Sequence, residues 1–263
     1  MTLLSIILWS TLIAFLIAQV STFCTTIYLH RANTHEGLKL HPFIGFLMHL
    51  ELALATGIKP REWAAVHRKH HRFSDQEGDP HSPYIEGLWR VLFLNVVMYK
   101  RETKNQDTID TFTPNWKNDL IDRIPLIGDL GPAIGMLLLA VAFPFIFGLS
   151  WWAGGLLGIA TWFLNAGMYI FLNAMINSVC HKVGYRNFEG QKATNLQWVA
   201  LITAGEGLHN NHHEFPRSAT MKARKWEIDP AWPVIRFLEM LGLAEYSEST
   251  LARIDSEKLQ KAA

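Results

Sequence analysis

The sequence predicts an all-α integral membrane protein, and three observations predict it. Long segments carry no charged side chain, basic residues are confined to the stretches between and after them, and nine of the 12 histidines fall into tight groups in those polar stretches. Composition agrees, with 49% of the 263 residues hydrophobic and only 18% charged, a balance that leans away from soluble proteins. The formal net charge of +1 supplies no global field for nucleic acid, which excludes that class of partner. Cys24 and Cys180 lie far apart and build neither a disulfide framework nor a thiolate cluster for zinc or iron–sulfur.

The first element is a span over residues 3–29, which holds no charge and exceeds the roughly 20 residues a bilayer crossing needs. No basic residue precedes it and the run is too long for a signal-peptide core, so it reads as an anchor. A second uncharged block, 130–177, has room for two spans at 130–149 and 151–176, separated by a turn around Gly148, Ser150 and Trp151. The apolar stretch 42–57 is short and is interrupted by His49 and Glu51. Were it to cross, it would put His30 and His35 on the opposite side from His67, His70 and His71, so it is read as an interfacial or re-entrant helix. All 24 Lys and Arg lie in 31–123 or 182–261, which places the polar stretches in the cytoplasm and the 148–152 turn outside. The chain is thus read as a single domain over 1–263, with its polar part in 58–125 and 177–263.

The histidines then share one face. They are His30 and His35 in YLHRANTH; His67, His70 and His71 in VHRKHH; His181 in INSVCH; and His209, His212 and His213 in LHNNHH. On a helix, residues three or four apart share a face, so each H-x-x-H-H group can aim several imidazoles at one point. Neutral imidazole suits iron, copper, zinc or nickel rather than magnesium or calcium. Nine rings exceed what one ion takes, so two metals of higher coordination number fit the count. Asn177 lies four residues before His181 and can join the shell directly or through a water. His41, His49 and His81 have no partners at ligand spacing and are read as ordinary interfacial or loop histidines. Among the carboxylates available to orient metal-bound imidazoles, Glu206 in AGEGLH and Asp79 in EGDPH rank above Glu62, Asp75 and Glu214.

The stretches YLHRANTH, EWAAVHRKHHRFSDQEGDPHSP, NSVCHKVGYRNF and GEGLHNNHHEFP, spread from residue 28 to residue 216, resemble the membrane fatty-acid desaturase superfamily, most closely the acyl-CoA Δ9 (stearoyl-CoA-like) branch and its bacterial relatives. The resemblance implies a transmembrane helical bundle with a cytoplasmic helical cap, in a bacterial inner membrane. It implies two irons held by the nine grouped histidines, with Asn177 reaching one through a water. It implies O2-dependent desaturation of a long acyl chain lying in a tunnel under the metals, with Trp63, Trp162, Trp198 and Trp226 as tunnel or cap residues. The chain carries no haem motif, iron–sulfur cysteines or dinucleotide fingerprint, so electrons come from a separate ferredoxin and its reductase or a cytochrome b5-like protein. Arg217, Lys222, Arg224 and Lys225 could dock that carrier, a phosphorylated head group or anionic lipid. Two departures stand out. The segment before His30 has room for one span where animal relatives have a hairpin. Ala65 and Val66 replace an Arg–Asp pair associated with coenzyme A, which leaves acyl carrier protein thioester, phospholipid-linked chain and free acid open. A hydroxylase, ketolase or alkene-forming decarboxylase on the same histidine pattern is the rival enzyme reading. A metal transporter is the non-enzyme rival, disfavoured because the spans hold no charge.

Overall fold

The computed structural model describes residues 2–247, so the part of the expected cap over 248–263 lies outside the described residues. Helix α1 (Leu3–Cys24) starts where the Thr2 hydroxyl accepts the Ser5 amide, a side-chain cap for one of the free first-turn donors. It does not stop near residue 29. It continues without a break as a π-helix over Thr25–Thr34, with His35 N–H donating to His30 O at 3.1 Å. Wide π turns are rare and frequently fall at functional sites.

Helix α2 (Pro42–Ala55) opens with proline in its first turn and is capped by the His41 ring, whose Nδ1 accepts the Phe43 amide at 3.2 Å. After a short break the chain turns by 90° into α3 (Pro60–Phe73). The last-turn carbonyls of α2 would be orphaned in an apolar layer. Two side chains of the long helix α7 (Trp151–Ser178) take them up. Trp162 Nε1 donates to Leu54 O and Asn165 Nδ2 to Ala55 O, both at 3.0 Å. α2 is therefore a half-helix that ends against a span, which suits a re-entrant or interfacial element.

Two cap helices follow, α4 (Leu88–Glu102) and α5 (Gln106–Phe112), and then α6 (Pro125–Phe147). α6 ends at Gly148, whose φ of 62° is left-handed and natural for glycine at a helix end. α6 and α7 pack as a hairpin through small residues: a Cβ at Gly158 would lie 2.4 Å from Leu139 O, and one at Gly154 would lie 2.6 Å from Pro144 N. Close backbone approach of this kind is how helices associate where lipid removes the hydrophobic drive. α7 runs on as a 3-10 turn, Val179–His181. Among the described residues, three helical runs are long and apolar enough to cross a membrane: Leu3–Thr34, Leu126–Phe147 and Trp151–His181. The short helices α8 (Gln197–Ile202), α9 (His209–Glu214) and α10 (Ala231–Met240) complete the cap. A two-residue antiparallel pair, Lys39–Leu40 with Ala244–Glu245, ties it to the start of the chain.

One buried ion pair locks the π-helix to the cap. Arg31, 1% exposed, donates from its two terminal nitrogens to Asp229 at 2.8 and 3.0 Å, and to Ala219 O at 2.9 Å. Gly205 (φ 102°) passes so close that a Cβ would lie 2.2 Å from Asp229 Oδ1.

Candidate metal centre

The π-helix, α3, the 3-10 turn after α7, and α9 bring all nine grouped histidines together on the cap side of the bundle. Their ligand atoms form two sets, each within 4.8 Å: His30, His35, His67, His71 and His212 in one; His70, His181, His209 and His213 in the other. The π winding explains how His30 and His35 share a face. Five residues apart, they would diverge on an α-helix, but i→i+5 bonding widens the turn and brings residues five apart close to one face. Their ring centroids are 5.0 Å apart.

Across the cage it is Nε2 that faces Nε2: His30–His212 and His71–His212 at 2.9 Å, His35–His67 and His181–His209 at 3.0 Å, His209–His213 at 3.1 Å and His70–His213 at 3.3 Å. Three rings commit their other nitrogen to a buried carboxylate. His30 Nδ1 meets Glu206 at 2.7 Å, His70 Nδ1 meets Asp79 at 3.0 Å, and His181 Nδ1 meets Asp75 at 2.8 Å. An imidazole that donates from Nδ1 has a bare lone pair at Nε2, so lone pairs converge on each centre, the arrangement a cation resolves. The spacing fits a metal as well. With metal–nitrogen bonds of about 2.1 Å, neighbouring donors lie about 3.0 Å apart in an octahedron and about 3.4 Å in a tetrahedron. Most of the edges match the octahedron. Burial, reinforced by the neighbouring imidazoles, holds His67, His71, His209, His212 and His213 well below the ordinary imidazole range, and His35 likewise. The rings are thus neutral, the form that binds metal.

Asp75 corrects the ranking drawn from sequence. It supports His181 as Asp79 supports His70, whereas Glu62 and Glu214 meet no imidazole in any described hydrogen bond. Asp75 sits at φ 58°, left-handed backbone that Asp tolerates better than most residues, and this turn aims its carboxylate inward. Burial alone would raise the Asp75 carboxyl; hydrogen bonds from His181 and Ser82 carry it below the usual carboxylate range. Asp79 is likewise lowered, burial being outweighed by hydrogen bonds from His70 and the His81 amide. Both are therefore carboxylates at neutral pH.

His81 also departs from the ordinary-histidine reading. Its ring stacks on His70 with centroids 4.6 Å apart, and its Nε2 is buried without a hydrogen-bond partner. Burial, with the neighbouring His70, lowers it to about 3. His49 pairs with Asp119 at 2.7 Å, away from the cage. Asn177 lies outside both histidine sets; its side-chain amide donates to Asn95 at 3.4 Å, and both line a cavity that reaches His67 and His209. Of the tryptophans, Trp63 lines that cavity and stacks on His67 at 4.7 Å with a 9° interplanar angle, Trp162 caps α2, and Trp198 and Trp226 are more than half exposed.

α9, six residues long, cannot hold three histidines by itself. The two asparagines between them do the holding. Asn210 Oδ1 accepts the amides of Asn187 and Phe188, and its Nδ2 donates to Phe188 O and Ala193 O. Asn211 accepts from Asn187 and Asn195 and donates to Met221 O and to the fully buried Glu227. The paired asparagines of LHNNHH were the available sequence signal.

A helical membrane protein built around a double histidine cage is the class that fold and site define. The "Fatty acid desaturase" family model matches residues 7–242. The chain is 30% identical over 243 residues to Delta-9 acyl-lipid desaturase 2 of Arabidopsis thaliana, covering 90% of this chain and 74% of that protein. It is 34% identical to Acyl-CoA 5-desaturase AL21 of Anemone leveillei, covering 87% and 68%. It is 30% identical to the sn-1 stearoyl-lipid 9-desaturase of Anabaena variabilis, covering 83% and 76%. The chain belongs to the fatty acid desaturase family and is a fatty acyl desaturase.

Proposed function

We propose that this enzyme holds two irons, one in each histidine set, and uses O2 to place a cis double bond in the middle of a long acyl chain on the cytoplasmic side of the membrane. The observation that carries this is the cavity beneath the cage. His67 and His209, one from each set, form part of its wall, and the rest includes Trp63, Val66, Val96, Tyr99, Ile170 and Ile176. A mostly apolar space bounded by both histidine sets suits a methylene chain far better than a polar substrate. Bound there, iron supplies the oxidising power that unactivated C–H bonds demand.

The protein's own part is position. Asp75, Asp79 and Glu206 fix the tautomer and tilt of three rings, so the Nε2 lone pairs are aimed before metal arrives. The cavity wall sets which methylenes come within about 3–3.5 Å of the reacting centre, and hence where the double bond falls. Burial of the cage keeps bulk water from the oxidant. The confinement of every Lys and Arg to the polar stretches supports a cytoplasmic active site in a multi-pass protein. A separate one-electron carrier, ferredoxin or cytochrome b5-like, supplies reducing equivalents, and the substrate is a long-chain acyl thioester or lipid-linked chain.

Purified iron-loaded protein, supplied with O2, a reductant and long acyl substrates, is expected to return products lighter by two hydrogen atoms. Products heavier by one oxygen atom, or untouched substrate, would overturn the reading.

A further inference from the structure

The stretch that follows His181, KVGYRNFEGQK over 182–192, carries three cations, Lys182, Arg186 and Lys192, and one acid, Glu189, all exposed. Two of the cations gather on one aromatic ring: the Lys182 ammonium lies 3.4 Å and that of Lys192 4.9 Å from the centroid of Tyr84. Tyr84, Ile85 and Val183 are 40%, 56% and 50% exposed, which gives the patch an apolar centre. Beneath it a chain of bonded contacts leads to the cage. Lys192 Nζ donates to Asp75 O at 3.2 Å, and the Asp75 carboxylate accepts a hydrogen bond from His181 Nδ1 at 2.8 Å. A single residue separates the exposed ammonium from a ring of the four-histidine set.

We propose that this patch is where an acidic, soluble one-electron carrier docks, and that Asp75 and His181 form the route inward. An apolar centre ringed by one sign of charge is the anatomy of a steered, transient protein interface. Three cations against one acid complement an acidic protein face, and lipid is the alternative occupant that the binding test separates. Each encounter oxidises one reduced carrier by one electron. Two encounters supply the two electrons that, with two solvent protons and the two hydrogens of the acyl chain, reduce O2 to two waters. The inference rests on the O2-dependent reading above, but it can fail separately, because docking is measured without turnover.

The test uses the iron-loaded protein in phosphatidylcholine nanodiscs. Its probes are oxidised plant-type [2Fe–2S] ferredoxin, which is acidic, and cytochrome c, which is cationic. Wild type should prefer ferredoxin, with affinity falling as salt rises. Lys182→Glu/Arg186→Glu should weaken ferredoxin binding by about ten-fold or more and strengthen cytochrome c binding. The equally charged change Lys39→Glu/Arg217→Glu, at a separate surface pocket that both residues line, should stay within about two-fold. The proposal is overturned if wild type shows no preference for ferredoxin, if both double variants weaken it equally, or if the first variant leaves affinity unchanged. It is also overturned if that variant loses co-purifying anionic lipid while keeping the carrier.

Discussion

Asp75→Asn separates the charge of a supporting carboxylate from its shape. Asn tolerates left-handed backbone as well as Asp does, so the turn at φ 58° costs no more. Ser82 Oγ, which donates to Asp75 Oδ1 at 2.8 Å, can donate to the amide oxygen instead. What changes is the atom facing His181 Nδ1 at 2.8 Å: an acceptor becomes an NH2 donor. Two donors cannot share that contact, so the ring tautomerises and its Nε2 carries the proton. Loss of such a partner lowers metal affinity by about 10–100-fold, or about 1.4–2.8 kcal/mol. The effect should be confined to the set of His70, His181, His209 and His213. Titrating metal-free protein with Co2+ and following visible absorption resolves two binding steps, and only one should weaken. Equal weakening of both steps, or wild-type binding in the variant, would refute the argument.

Other expectations follow from the same contacts. Arg31→Met leaves Asp229 buried and unpaired, a loss of about 3–5 kcal/mol, so thermal unfolding in detergent should shift down by on the order of 10 °C, and adding Asp229→Leu should restore much of it. Gly158→Val drives a side chain into the α6 backbone at Leu139 and should destabilise by about 1–3 kcal/mol, whereas Gly167→Ala, with open space around it, should unfold with wild type. The metal-free protein should show full stability above the ordinary imidazole pKa of about 6.5 and lose it as pH falls below. The reason is that His35, His67, His71, His209, His212 and His213 are all lowered, so the unfolded chain binds more protons than the folded one. Stability that is flat or rising between pH 6.5 and 5 would contradict the buried neutral cage.

What was legible in the sequence was whatever leaves a mark in local composition. Charge-free runs gave the three membrane-length helices, and Gly148 with Ser150 gave the turn between the last two. The histidine groups announced themselves because nine rings serve no packing purpose. Local spacing was a poorer guide where the backbone departs from the α-helix. His30 and His35 meet only because the chain winds as a π-helix, and nothing in YLHRANTH specifies that. Asp75 ranked below Asp79 and Glu206 among the candidate carboxylates, because nothing local signals the left-handed φ that turns it inward. The span ends also moved: the first helix runs to Thr34, the second begins at Pro125 with Asp129 paired to Lys59 at 2.8 Å, and the third reaches Ser178. Contacts between distant stretches, such as Arg31 with Asp229 and Asn211 with Glu227, follow from tertiary closure and have no local signature.

Metal analysis combined with X-ray absorption at the iron edge tests the central claim most directly. The account predicts two irons per chain, each in a shell of nitrogen and oxygen scatterers without sulfur, and loss of iron from the four-histidine set in His70→Ala. A single iron per chain, sulfur in the shell, or unchanged iron in that variant would contradict it.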